Sequence, residues 1–389
     1  MFETAPDDPV YLDGNSLGRL PRRSLPRLLD VVQREWGSGL VRSWGGWMGM
    51  PVRVGDRLGE ALLGAAPGQV VVADSTSVNL YKLAAAALDA RPGRPEVITD
   101  RANFPTDRYL LAGLAAARGL DLRLVDFDEV RGPTREAVAA AVGEQTALVV
   151  LSHVDYRSGA LADMAGISAA VHRAGALTLW DVSHSVGAVP VALDQSGADL
   201  AAGCTYKYVN AGPGAPAFLY VRRQLQERLR QPIWGWMGKR DPFAMEEPYT
   251  PEDGIGSFLS GTPPVLGLAL VAEGVELLAE LGLDRVRAKS LALTTHLIGL
   301  WDRQLAPLGF QLATPRDPEL RGSQVTLRHP RAAAICARLG RAGEVVLDFR
   351  PPDRVRMGCA APTTSFTDLA RAVQAIARTA VEVAAEQST

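Results

Sequence analysis

Of the 41 lysine and arginine residues in this 389-residue chain, only four are lysine, Lys82, Lys207, Lys239 and Lys289, which leaves 37 arginines. Where a positive charge alone is required, the chain uses arginine. Each lysine is therefore a candidate for chemistry that needs an amine able to lose its proton or to form an imine. Lys82 falls in an amphipathic helical pattern, Lys239 in a charged loop and Lys289 on an arginine-rich helix, and all three read as solvated surface charges. Lys207 is different. It lies in AAGCTYKYVNAGPGAPAFLYV, between two tyrosines and ahead of a Gly-Pro-Gly turn and a strand. Glycines there let the backbone approach a ligand closely. Two readings stand side by side: a structural lysine laying its stem past aromatic rings, or an amine that carries a carbonyl ligand.

A second candidate, Asp181, ends a buried-type strand in LTLWDVSHSVGAVPVAL, with Ser183 and His184 in the following turn. Ligands of parallel α/β sheets collect beyond the carboxyl ends of the strands. An acid at that place, ahead of an imine-forming lysine, suits pyridoxal phosphate, an electron sink whose ring nitrogen a carboxylate keeps protonated. The plainer reading is that Asp181 caps its own turn, and for His184 a hydrogen-bonded turn histidine. A phosphate seat is available as well. Ser75-Thr76-Ser77 opens one helix, where free N–H groups, hydroxyls and the positive end of the dipole converge. Phe104-Pro105-Thr106-Asp107 opens another. Each alone is an ordinary N-terminal cap; with a lysine and a strand-end aspartate they form a cofactor cradle in which Phe104 offers a stacking face. Arg356, in the strand-like RVRMG, either grips a carboxylate bidentately or faces outward as an ordinary strand residue.

The elements that must hold these residues follow a regular rhythm. Helical patterns cover 24–36, 52–65 and 77–90. Apolar runs at 96–99, 122–127, 147–153 and 177–181 alternate with helical segments at 106–118, 135–142 and 163–174, and one more strand is expected over 215–221. This is the pattern of βαβ units and a mostly parallel central sheet, an α/β fold. Residues 231–261 are rich in Trp, Pro and Gly and weakly periodic, which marks a functional loop or a domain junction. Beyond it come helices at 265–281 and 283–305, strands at 324–328, 344–349 and 354–357, and helices at 332–341 and 366–385. The expected division is an N-terminal arm and helix over 1–50, a large α/β domain over 51–262 and a smaller α+β domain over 263–389.

Composition excludes several classes. A net charge of −2, with 47% hydrophobic and 22% charged residues, is that of a globular chain without global attraction to nucleic acid or an anionic membrane. Cys204, Cys336 and Cys359 are too few and scattered for a disulfide framework or a zinc cluster. The acidic start MFETAPDDPV is no signal peptide and no 18-residue apolar run is present, so a soluble cytoplasmic protein is expected.

In order along the chain, YLDGNSLGRLP, GLVRSWGGW, DSTSVNL, NFPTDRY, WDVSHSVGAVPVAL, GCTYKYVNAGPGAPAFLYV, GWMG and FLSGTPPV resemble the kynureninase family. The likeness runs from about Tyr11 to beyond Arg356. It implies the type I fold of pyridoxal-phosphate-dependent transferases and hydrolysis of L-kynurenine, and of 3-hydroxy-L-kynurenine, to the corresponding anthranilate and L-alanine. Carried over position by position, the resemblance makes Lys207 the Schiff-base lysine, Asp181 the partner of the pyridine nitrogen, and Tyr206 a phosphate-binding tyrosine that assists proton transfer. It places Thr76, Ser77, Thr106, Asp107, Ser152 and His184 around the cofactor and Phe104 on its ring. Trp236 and Thr262 match phosphate-side residues that the family supplies from a neighbouring subunit, which implies a homodimer. Arg356 matches the residue holding the substrate's α-carboxylate, Trp47 an aromatic of the bacterial-type substrate pocket, and Gly261 with Thr262 the bacterial form of the SGTPP segment, which favours kynurenine over its 3-hydroxy form. Three other readings remain open: a cysteine desulfurase, for which Cys359 is the nearest nucleophile although its Gly-Cys-Ala-Ala setting reads as packing; a class V aminotransferase; and a non-catalytic cofactor-binding regulatory protein.

Overall fold

The computed structural model describes all residues except 4, 6, 7, 246 and 387–389. Its centre is a seven-stranded sheet made of β2 (Val70–Val72), β3 (Glu96–Asp100), β4 (Asp121–Val125), β5 (Thr146–Ser152), β6 (Leu177–Asp181), β7 (Leu200–Gly203) and β8 (Phe218–Val221), in the spatial order β2-β8-β7-β6-β5-β3-β4. Every strand runs the same way except β8, which is antiparallel to both its neighbours. The inner strands are mostly apolar and buried because both faces are covered, whereas the edge strand β4 is partly exposed. Val70, Val72, Ile98, Val149, Leu151 and Trp180 enter the core on one face. Val71, Val97, Leu148, Val150 and Leu179 enter the core on the other. The period of two is intact beneath the uniform hydrophobicity.

Helices Thr76–Asp89 and Pro105–Arg118 supply the second of these faces, and Met164–Arg173 and Val265–Leu281 the first. Their caps are local. Ser75, Thr134 and Asp163 each accept a backbone N–H from the first turn of the helix that follows. The expected helix over 24–36 is α-helical only over Ser24–Asp30 and continues as a π-helix over Val31–Gly39. Strands β2 and β7 fall outside the expected spans: β2 is a run of only three valines, and β7 has no β-branched residue. The expected strand over 344–349 is two short pieces, Val345–Val346 and Asp348–Arg350.

A second core gathers around a four-stranded antiparallel sheet, whose two central strands are Gln324–Arg328 and Arg354–Gly358. Helix Leu283–Gln304 joins the two cores: Val286 packs beneath the large sheet, whereas Leu293, Leu297 and Trp301 pack in the second. The chain's first strand, β1 (Val10–Tyr11), pairs in parallel with Val345–Val346, so Val10 and Leu12 are buried in the second core, far from their neighbours in sequence. Among the described residues no helix is long and apolar enough to cross a membrane, and no cluster of His, Cys, Asp or Glu could hold a metal ion.

Candidate active site

The carboxyl ends of β2, β3, β6 and β7 converge on a cavity of about 640 Å³. This is where the topology of an open parallel sheet places a ligand. Helix starts after β2 and β3 bring Thr76 and Ser77, and Thr106 and Asp107. Phe104 stands just ahead of the second helix, Asp181 ends β6, and Tyr206 and Lys207 follow β7. Thr262 reaches the rim of the same chain's cavity.

Backbone geometry fixes these side chains. Asp181 Oδ1 accepts the Ser183 N–H at 2.8 Å, which turns its carboxylate at the strand end. Ser152 stands in register beside Asp181 but does not line the cavity; its Oγ donates to Asn103 Oδ1 at 2.7 Å, and the same oxygen accepts the Phe104 N–H at 2.8 Å. Ser152 thereby holds the ring of Phe104 in place. The Lys207 ammonium lies 5.9 Å from the centre of that ring and forms no ion pair with a described residue. Its loop is pinned from outside: the Gly18 N–H donates to the Tyr206 carbonyl at 2.8 Å, and the Asn210 N–H to the Lys207 carbonyl at 3.0 Å. A Cβ at Gly18 would collide with that same Lys207 carbonyl, so only glycine permits the contact.

Burial sets the charge state of the neighbours. Asp107 is 2% exposed, and its Oδ2 has no partner. Desolvation and then the Asp181 charge push its pKa well above the carboxylate range, with Lys207 opposing. His184 is buried, with Nδ1 unpartnered. Desolvation, and then the Lys207 charge, hold it well below the usual imidazole range, so it stays neutral. Burial, reinforced by Cys204, raises the Tyr206 phenol and keeps its proton in place.

Arg356 does not face outward. It is 1% exposed, donates from Nη1 to the Tyr156 carbonyl at 2.9 Å and from Nη2 to Ser16 Oγ at 2.8 Å, and pairs with Asp348; its Nε has no partner. Tyr156 meets Phe104 edge to face at 5.2 Å, which links the arginine to the cavity wall. Trp47, Trp236 and Gly261, like Ser152, His184 and Arg356, lie outside the cavity lining. Trp47 donates from Nε1 to Glu35 at 2.7 Å. The Trp44 ring lies 5.8 Å from Trp47 and 5.9 Å from Trp236. Gly261 is exposed beside Thr262.

Sequence reasoning missed two residues here. Asp74 lines the cavity in a left-handed conformation, with φ of +52°. Lys82 is not a solvated surface charge: it is fully buried, with Nζ 2.6 Å from Asp74 Oδ2. The helix carrying it is alanine- and leucine-rich on nearly every side, the mark of a buried helix, and that signal was available. The donor set fits pyridoxal phosphate. It combines a lysine free of ion pairs, a strand-end carboxylate, an aromatic wall, a hydroxyl-lined helix start, and unpartnered polar atoms on Asp107 and His184.

Comparison with known proteins agrees. A family model described as Aminotransferase class-V matches residues 60–323, and one described as Kynureninase C-terminal domain matches residues 286–376. The kynureninase of Pseudomonas fluorescens is 44% identical over 377 residues, covering 95% of this chain and 88% of the relative. That of Burkholderia pseudomallei is 43% identical over 375 residues, covering 94% and 88%. Among solved structures, the apo cysteine desulfurase of Thermococcus onnurineus superposes with a TM-score of 0.83 at 17% identity, covering 95% of this chain and 94% of that one. The cystine C–S lyase C-DES superposes with a TM-score of 0.84 at 19% identity, covering 95% and 98%. These structures share the fold.

Proposed function

The chain belongs to the kynureninase family, a family of pyridoxal-phosphate enzymes, and from that premise we propose that it hydrolyses the Cβ–Cγ bond of L-kynurenine, releasing anthranilate and L-alanine, with the cofactor carried by Lys207. The observation that carries the proposal is the meeting of Lys207, Asp181, Phe104 and the hydroxyls of Thr76 and Ser77 around one cavity. When bound, the cofactor supplies a sink for the electrons released at the substrate carbons.

The chain's own residues do the rest. Asp181, oriented by the Ser183 N–H, offers its carboxylate to a protonated ring nitrogen. Phe104, held through Asn103 by Ser152, covers one ring face. Thr76, Ser77 and the first N–H groups of their helix receive the phosphate, joined by Thr106. Asp107 and His184, both neutral, add polarity without competing for the charge of Asp181. Lys207 Nζ would hold the cofactor and, when its amine is free, would take the substrate's α-proton. The Tyr206 phenol, which keeps its proton, is the acid that returns protons later. The unpartnered Nε of the buried Arg356 is a donor for the substrate's α-carboxylate. In the proposed assembly two copies pair as a cytoplasmic homodimer: Trp236 joins the phosphate side of the neighbouring copy's site, Thr262 stands at the cavity rim where the copies would meet, and Trp47 and Gly261 border the substrate. In the bacterial-type pocket L-kynurenine is favoured over its 3-hydroxy form.

Cys359 cannot serve as the nucleophile of a desulfurase. It is fully buried in the second core, and burial pushes its thiol up to about 12. The test is to incubate the cofactor-loaded protein with L-kynurenine and with 3-hydroxy-L-kynurenine and to follow the two anthranilates by fluorescence. Anthranilate is expected from L-kynurenine, and no product from either substrate would overturn the proposal. Lys207→Ala should also lose the visible absorbance of the bound cofactor; a variant that keeps it would refute the lysine assignment.

A further inference from the structure

Lys82 has no place in the chemistry above, yet it is among the most completely buried large side chains of the molecule. Its ammonium donates to Asp74 Oδ2 at 2.6 Å and to the Phe258 carbonyl at 3.0 Å. Asp74 lines the cavity and immediately precedes Ser75, whose Oγ caps the helix by accepting the Val78 N–H. The left-handed backbone of Asp74 is costly for a residue with a Cβ. It is held by its carbonyl, which accepts the Ala217 N–H at 2.8 Å, and by the carboxylate's bond to Lys82. Left alone, a carboxylate at this place would repel an anion at the start of the helix. Phe258, for its part, belongs to the stretch that leads into Thr262 at the cavity rim.

We infer that Lys82 is the positioning residue of the phosphate seat. From beneath, it neutralises Asp74, holds the turn that exposes the first N–H groups of helix Thr76–Asp89, and ties that turn to the segment carrying Thr262. The inference rests on the reading of this cavity as a pyridoxal phosphate site. The identity of the residue follows from its partners. One carboxylate oxygen and one carbonyl satisfy most of a compact ammonium, whereas a guanidinium would bury several of its five donors unmatched. In a chain that otherwise prefers arginine, this accounts for a lysine at 82.

The test uses the full-length protein stripped of cofactor and two probes with the same ring, pyridoxal 5′-phosphate and pyridoxal, with binding followed by visible absorbance. Lys82→Met leaves Asp74 unopposed. It should weaken pyridoxal phosphate by about tenfold or more while shifting pyridoxal by no more than about threefold. Asp74→Asn removes the repulsive charge but keeps the ammonium, and should raise the preference for the phosphate-bearing probe by about threefold. A purely structural role would weaken both probes alike. If the unmutated protein fails to take up pyridoxal phosphate, the reading of the cavity fails. If it binds normally and Lys82→Met keeps the original preference, only the inference about Lys82 is overturned. Should Lys82→Met not fold, an unchanged or lowered preference in Asp74→Asn overturns the inference by itself.

Discussion

Asp100 ends β3, 7% exposed, with its Oδ1 accepting the Ala102 N–H at 2.8 Å. Burial disfavours the charged form and raises its pKa from 3.8 to about 6. Near pH 5 the folded protein therefore holds a proton here that the unfolded chain has lost. The stability linked to this group is fully present below about pH 4 and is lost as pH rises through about 6. Asp100→Asn keeps the acceptor and removes the titration. Its stability relative to the unmutated protein should rise by on the order of 3 kcal/mol between pH 4 and pH 7. Denaturant unfolding at the two pH values measures this, and a difference that does not change with pH would contradict it. At this scale the sequence was informative where residue type was restrictive. The scarcity of lysine made all four lysines candidates, and flanking tyrosines and glycines singled out Lys207 alone. Lys82 was misread because helical spacing reports which residues share a face, not what lies over that face.

Among the elements, long periodic segments were legible in the sequence and short ones were not. Helices Val265–Leu281 and Phe366–Ala385 match their expected spans, as does strand β6. Strand β7, with the sequence LAAG, carries no β-branched residue and exists because β6 and β8 pair with both its edges. Among the described residues of 231–261 the structure is short 3₁₀ turns at Trp236–Gly238 and Gly254–Phe258 and an isolated Lys239–Pro251 bridge, in keeping with the weak periodicity. One contact between elements governs the lysine loop. Helix Val265–Leu281 crosses beneath it at Gly274, where a Cβ would collide with the Val209 carbonyl. Gly274→Ala should cost about 1–3 kcal/mol, the usual penalty of forcing an extra carbon into a packed core. It should also weaken cofactor uptake, because Val209 lies two positions from Lys207. A variant as stable as the parent in denaturant unfolding would contradict the close approach.

For the molecule as a whole, the pattern of exposure bears on assembly. Trp234, Phe243 and Met245 in the loop that holds Trp236, and Leu40 and Val41 in the N-terminal segment, are more than half exposed. Exposed apolar side chains in such number mark a surface that associates. A homodimer is expected in sedimentation at micromolar protein, and a monomer of full activity would overturn the proposed sharing of the site. The arrangement of Arg356 with Asp348, Ser16 and Tyr156 joins three distant parts of the chain, and no local pattern encodes such a meeting. The pairing of Val10–Tyr11 with Val345–Val346, together with the contact of Gly18 on the lysine loop, carries a temporal consequence. During synthesis residues 1–20 leave the ribosome long before the strand that will receive them, and the loop around Lys207 lacks its outer support until that strand arrives. Domains that emerge early ordinarily fold early. Here an early part of the nascent chain is among the last to settle, so a chain halted before residue 345 would carry every cavity-lining residue named above and still lack both Arg356 and the outer support of its lysine loop.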